Sequence, residues 1–155
     1  MTFEPEPSDL RWLELALELS AHCAPSSTAY SVGTVIVSAA GDEMARGFSR
    51  EIDALAHAEE AALGRLRADD PRLPTATVYC TLEPCSERRS RQPTCATRLI
   101  RAGVSRVVIL RREPARFIAA PNGVGLLRGA GIRVDEFPAD VSIGPTTRSR
   151  SLVPW

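Results

Sequence analysis

The chain contains no lysine: all 19 of its basic residues are arginine. Schiff-base catalysis through a Lys amine is thereby excluded. It has only two histidines, and aromatic residues make up 5% of its 155 positions. Nineteen acidic residues balance the arginines to a formal net charge of zero. Nothing in that overall balance attracts nucleic acid, whose binders carry a basic surface with aromatic stacking residues, so nucleic acid is not an expected partner. No stretch reaches the roughly 18 consecutive apolar residues of a membrane span. The opening Met1-Thr2-Phe3-Glu4-Pro5-Glu6-Pro7 is acidic and Pro-rich, unlike the basic and then apolar start of an export signal. A cytoplasmic protein without membrane contact is expected. In that reducing setting Cys23, Cys80, Cys85 and Cys95 would bind metal or stay free rather than pair as disulfides.

Length and an apolar content of 44% suit one domain with a closed core. We expect a single domain over residues 1–137, with 1–8 as a loose arm and 138–155 as a tail. The tail is either disordered or laid on a partner subunit, and Leu152, Val153 and Trp155 favour the second. Ser8 or Asp9 can cap a helix over 10–21, with Leu10, Leu13 and Leu17 on one face and Trp12, Ala16 and Leu19 widening it. His22 and Cys23 close that helix and read as structural. The β-branched run 32–38 reads as a central strand, Ala40-Gly41-Asp42 as a hairpin turn and 43–49 as a second strand. A helix over 55–68 places Leu55, Ala58, Ala62, Leu63 and Leu66 inward. Strands follow over 75–81, 104–110 and 132–137, with helices over 95–102 and 122–130 between them. Gly103 stops the first of these helices, and the next strand suits a parallel crossover. Cys80, inside its strand, reads as a small buried hydrophobe.

The chemistry concentrates between Ala56 and Cys95. His57-Ala58-Glu59 is followed by Pro84-Cys85, nine residues and then Cys95. One imidazole and two thiols are soft ligands that suit zinc, and a set of three leaves its fourth position open to water. A structural zinc normally has a fourth protein ligand, which this spacing does not offer. Glu59 can move that water's protons without binding the metal, and the H-x-E…P-C…C arrangement is the signature of zinc-dependent deaminases. His57 and Glu59 fall in the first turn of the helix over 55–68, and at an N-terminus pointing end-on at the metal both can reach it, although two residues in mid-helix diverge by roughly 200°. Thr94 can cap the helix over 95–102 and set Cys95 at its N-terminus, which favours thiolate. Glu60 faces away, and Glu83 orients the loop carrying Cys85. Tyr30 and Ser31, just before a strand, can line a pocket or be ordinary loop polarity. Arg88, Arg89 and Arg91 can clamp a phosphate bidentately or simply be solvated.

These motifs, with Thr81-Leu82-Glu83-Pro84-Cys85-Ser86, Pro93-Thr94-Cys95, the run from Ile100 to Val108 and Ala130-Gly131-Ile132, resemble the cytidine-deaminase superfamily over about residues 10–137. The chain is most similar to the deaminase domain of bacterial riboflavin-biosynthesis proteins, which share the long loop between the two cysteines. The resemblance implies an α/β fold, a three-layer α/β/α sandwich around a five-stranded mixed sheet. It implies zinc held by His57, Cys85 and Cys95, Glu59 as proton shuttle, and a homodimer. Ser49 and Glu51 lie where related deaminases hold a ribose or ring edge. Glu87 and Ser49 stand where the riboflavin family has His, at positions that touch substrate. The expected activity is hydrolytic removal of an exocyclic amine from a small aminopyrimidine, including a riboflavin-pathway diaminopyrimidine. The alternatives are deamination of free nucleobases, nucleosides or related heterocycles, nucleic-acid deamination, and a zinc-stabilised interaction protein without turnover.

Overall fold

The computed structural model describes residues 3–140 and Ile143; Leu152, Val153 and Trp155, expected to lie on a partner, fall outside the described residues. Ten elements follow in order: helix α1 (Pro7–Ser20), strands β1 (Gly33–Val37) and β2 (Glu43–Phe48), α2 (Ala58–Leu63), a 3-10 turn (Leu73–Thr75), β3 (Thr77–Leu82), α3 (Cys95–Ala102), β4 (Arg106–Arg111), α4 (Gly123–Gly129) and β5 (Arg133–Glu136). The five strands form one sheet in the order β2-β1-β3-β4-β5. β1 pairs antiparallel with both β2 and β3, while β3, β4 and β5 run parallel. This is the mixed α/β sandwich expected.

Alternation along the strands sorts the core into two clusters, because successive strand side chains point to opposite faces. Val78 and Cys80 of β3 and Val107 and Ile109 of β4 pack with Ala62, Ala96, Leu99, Val124 and Leu127 of the last three helices. Tyr79 and Val108, on the other face, pack with Trp12, Leu13, Ala16 and Leu19 of α1. One helix therefore covers one face and three cover the other. Cys80 is fully buried, as its strand position required.

Two glycines allow layers to touch. A Cβ on Gly33 would lie 1.8 Å from the Ala16 carbonyl oxygen, so α1 sits directly on β1. A Cβ on Gly123 would lie 1.9 Å from the carbonyl oxygen of Pro84, so the start of α4 presses on the segment that leads into Cys85.

Several boundaries differ from expectation. Residues 1–8 are not all a loose arm: α1 begins at Pro7, Glu6 is its N-cap, and the Glu6 N–H donates to Asp9 Oδ2 at 3.1 Å. Phe3 packs against the core beneath α1, with Arg106 5.5 Å from its ring centre. Helix α2 spans only Ala58–Leu63, and Leu55, expected to face inward, is 51% exposed. The expected third strand starts two residues late, at Thr77, because Thr75 closes the 3-10 turn that Pro74 favours. Beyond the expected domain end at 137, Ile143 is buried in the cluster beneath α1.

A polar lock joins α1 to the sheet. Asp9, 2% exposed, accepts from the Tyr79 hydroxyl at 2.8 Å and from Arg106 Nη1 at 2.9 Å, and Arg106 Nε donates to Asp135 at 2.7 Å. Burial alone would raise the Asp9 carboxyl, but Arg106 and Tyr79 overrule it and hold the group below its ordinary range. Removing one partner of such a buried pair costs about 3–5 kcal/mol. Asp9→Asn should therefore lower stability by about 3 kcal/mol at neutral pH, read from the urea midpoint. A depressed folded pKa means that the stabilisation is full above the unfolded value of about 3.9 and is lost as pH falls through the folded value. The gap between wild type and variant should close below about pH 4, and an unchanged midpoint at neutral pH would remove Asp9 from this role.

Candidate metal centre and cavity

His57 does not lie inside a helix. It is the N-cap of α2, with extended backbone angles of φ −88° and ψ 161°, and Glu59 is the second helical residue. The change of backbone conformation at His57 frees its ring from the 100° helical step, so His57 and Glu59 can serve one point despite their spacing. The His57 N–H is satisfied by Glu60 Oε1 at 3.3 Å. Cys85 follows the carboxyl end of β3 after Glu83-Pro84, and Cys95 is the first residue of α3, whose Thr94 cap accepts from the Thr97 N–H as expected. Two helices thus begin at the same place.

His57 Nδ1 lies 3.5 Å from Cys85 Sγ and 3.4 Å from Cys95 Sγ, and the Cys95 N–H donates to Cys85 Sγ at 3.2 Å. The three ligand atoms lie within 4.8 Å of one another and form the one cluster of three or more such groups among the described residues. His22 and Cys23 take no part: Cys23 Sγ sits 3.6 Å from the Val32 carbonyl, and the His22 ring stacks loosely on Phe48 at 5.9 Å. Cys95 and the His57 ring pull the Cys85 thiol well below its ordinary pKa, while the Cys85 sulfur and burial push Cys95 up. One imidazole nitrogen and two sulfurs, one of them primed as thiolate, fit zinc with no further protein ligand in the cluster.

Glu59 is 4% exposed and stands beside Cys95 and Cys80. Burial first, and the Cys85 charge second, push its carboxyl up. Glu60 indeed turns away from the metal ligands. Its carboxylate gathers Arg88 at 3.0 Å, Arg98 at 3.1 Å and Arg91 at 3.3 Å, and Arg91 also pairs with Asp53 at 2.5 Å. Burial would raise the Glu60 carboxyl, but the arginines more than offset it and lower it. Glu83, expected to orient the Cys85 loop, reaches further: its oxygens accept from the N–H of Glu113 at 3.0 Å and of Val124 at 2.8 Å. It thereby ties the end of β3 to the segment after β4 and to α4.

A cavity of about 430 Å³ opens beside the ligands, lined among others by Tyr30, Val32, Ser49, His57, Glu59, Leu82, Cys85, Glu87, Arg88, Arg89, Glu113, Phe117 and Ile118. Tyr30, Ser49, Glu87 and Arg88 line it as expected. Three expected residues do not. The Ser31 hydroxyl instead accepts from Arg50 at 2.9 Å. Glu51 is committed to Arg65 at 2.7 Å and to the Phe48 N–H. Arg91 is held by Asp53 and Glu60, outside the lining. A hydrogen bond to Arg50 drew Ser31 away, and ion pairs drew Glu51 and Arg91. Ser49 is buried and spends its oxygen on the Val32 N–H at 2.9 Å, so it also fixes the entry to β1.

Sequence reasoning missed Glu113 and Phe117. Glu113 stands just past the carboxyl end of parallel β4, where open α/β sheets place their ligands, and that topology is the signal that could have found it. Burial, then the charges of Cys85, Glu83, Glu59 and Glu87, push the Glu113 carboxyl up to about 8. Three buried side-chain polar atoms without a partner were found among the described residues: Tyr30 Oη, Arg88 Nη1 and Glu113 Oε2. All three residues line this one cavity. Each such atom costs roughly 1–3 kcal/mol when nothing pairs with it.

The description "Cytidine and deoxycytidylate deaminase zinc-binding region" belongs to the family model that matches residues 6–111. The chain is 38% identical over 123 residues to the diaminohydroxyphosphoribosylamino-pyrimidine deaminase of Schizosaccharomyces pombe, covering 78% of this chain and 30% of that one. It is 33% identical to the enzyme of the same name from Buchnera aphidicola, covering 82% of both chains. Among solved structures, Acinetobacter baumannii RibD superposes with a TM-score of 0.71 at 34% identity, over 83% of this chain and 35% of that one. The chain spans about a third of the length of the first curated relatives that it matches. With the matched span enclosing His57, Glu59, Cys85 and Cys95, this chain belongs to the cytidine and deoxycytidylate deaminase family of zinc-binding proteins.

Proposed function

We propose that the protein is a hydrolytic deaminase that removes an exocyclic amino group from a small aminopyrimidine. The observation that carries this reading is the buried Glu59 carboxyl beside a three-ligand cluster at the wall of a ligand-sized cavity. His57, Cys85 and Cys95 would hold the metal. Bound zinc supplies a Lewis acid that brings the pKa of a water to near 7.

Glu59 takes a proton from the attacking water and passes it to the ring nitrogen beside the reacting carbon. It then carries a proton to the departing amine, so a C–O bond forms, the C–N bond breaks and ammonia leaves. A carboxyl raised by burial suits both the taking and the giving. Leu82, Phe117 and Ile118 furnish apolar wall for the ring, and Glu113 faces its polar edge. A purely structural zinc would give no reason to bury a carboxyl at this spot.

The relatives named above, diaminohydroxyphosphoribosylamino-pyrimidine deaminases, support a diaminopyrimidine of the riboflavin pathway as substrate. A second reading, an unphosphorylated base, nucleoside or related heterocycle, is favoured by the loop arginines. Arg88 and Arg91 are already paired with Glu60 and Asp53, which leaves Arg89 as the loop arginine in the lining with no ion pair among the described residues. Ammonia release from the diaminopyrimidine ribotide and from its dephosphorylated form separates the two.

Glu59→Gln should keep zinc and fold while ammonia release falls by about 10²–10⁴-fold. Metal analysis, thermal unfolding and an ammonia assay read the three quantities, and a variant of undiminished activity would dismiss Glu59 as the shuttle. Cys85→Ser should lose most of its zinc on dialysis against a chelator that leaves the wild type loaded. Retention of one zinc per chain by that variant would point to another ligand set.

A further inference from the structure

Two residues past β2, Arg50 has a backbone φ of 62°, the one positive value among the described residues other than glycine. A side chain makes that conformation costly, and glycine would adopt it freely. Strain of this kind persists where the surrounding structure holds it in place. Here the guanidinium is what the neighbours hold. Its Nε and Nη2 both donate to the Ala24 carbonyl, at 3.0 and 2.7 Å. Nη1 donates to the Tyr30 carbonyl at 3.1 Å, and Nη2 also reaches the Ser31 hydroxyl at 2.9 Å. The Arg50 N–H donates to the Ala56 carbonyl at 2.7 Å, one residue before the metal ligand His57.

The groups that receive the guanidinium belong to a segment, 24–31, with no helix or strand of its own. Its remaining hydrogen bonds are internal, among Ser26, Thr28 and Ala29. Among the described residues, Arg50 therefore makes every hydrogen bond that joins this segment to the rest of the chain. Ser26, Thr28, Ala29 and Tyr30 of the segment all line the cavity, as do Arg50 and His57. A wall that must be ordered on binding takes that entropy from the ligand's affinity, and a wall fixed beforehand does not.

We propose that Arg50 is a positioning residue whose guanidinium holds segment 24–31 as a preformed wall of the cavity, so that ligand affinity depends on it while metal binding does not. This rests on the reading of the cavity as the substrate site of a deaminase and adds a residue that acts on the substrate through the wall it fixes. The planar fork of arginine reaches three acceptors at once, which explains why this residue occupies a backbone position that would suit glycine.

Arg50→Gly keeps the turn, because glycine takes a positive φ without strain, and removes the guanidinium. The probe is 5,6-diaminouracil, a small aminopyrimidine, titrated by calorimetry into zinc-loaded protein. The variant should bind it about tenfold less tightly than wild type at unchanged zinc content. Guanidinium chloride at a non-denaturing concentration should return most of that affinity, and sodium chloride at the same concentration should not. Amide hydrogen exchange over 24–31 should be faster in the variant, with β1 and β3 unchanged. Wild-type affinity in the variant, or exchange over 24–31 as slow as in wild type, overturns the proposal. A loss of affinity that comes with loss of zinc or faster exchange across the sheet, or that guanidinium does not recover, makes Arg50 merely structural and overturns it as well. Wild type that fails to bind the probe takes the cavity out of aminopyrimidine recognition, and the proposal with it. Ammonia release tests the deaminase reading separately: its absence, with probe binding and guanidinium rescue intact, sinks that reading and leaves the role of Arg50 standing.

Discussion

Everything at this site depends on two short helices that begin at one point. His57 caps the first and Cys95 opens the second, and Cys85 is delivered between them by the end of β3. Helix starts expose unpaired N–H groups and a partial positive charge, which favours sulfur as thiolate. The hydrogen bond from the Cys95 N–H to Cys85 Sγ is that effect in a single contact. Without the convergence, three soft ligands scattered over 39 positions of chain would be ordinary residues.

The convergence is held by groups that do no chemistry. Glu83 ties the end of β3 to the segment after β4 and to α4, and Gly123 lets α4 press on Pro84. Glu60 draws Arg88, Arg91 and Arg98 onto one carboxylate and so folds the long loop between the cysteines against α2. Adjacent residues of one helix turn therefore divide the labour. Glu59 faces the metal ligands, and Glu60, about 100° further round, organises the loop that covers them.

Acidic and basic groups around the cavity are arranged by the same logic. Carboxyls near the ligands are raised: Glu59 by burial and the Cys85 charge, Glu113 by burial and several negative neighbours. Carboxylates among the loop arginines are lowered, as at Glu60 and Asp53. Carboxyls beside the three-ligand cluster are kept apart from neutralising partners, while those that hold the loop in shape are given them.

The sequence by itself singled out His57, Glu59, Cys85 and Cys95 and the order of strands and helices, because these follow from residue chemistry at fixed spacing and from local periodicity, while the mixed sheet was implied by the family resemblance of its motifs. The Thr94 cap and the helix Cys95–Ala102 were legible in full, since cap and stop signals are local. Which polar side chains face the cavity was decided only by tertiary structure. Ser31, Glu51 and Arg91 were each drawn off by a partner distant in sequence, respectively Arg50, Arg65 and the pair Asp53 and Glu60. Glu113 entered because parallel pairing of β3 and β4 brings the ends of both strands to the same edge. A side chain's chemistry is written in its own residue, but its partner is chosen by the packing of segments far apart along the chain.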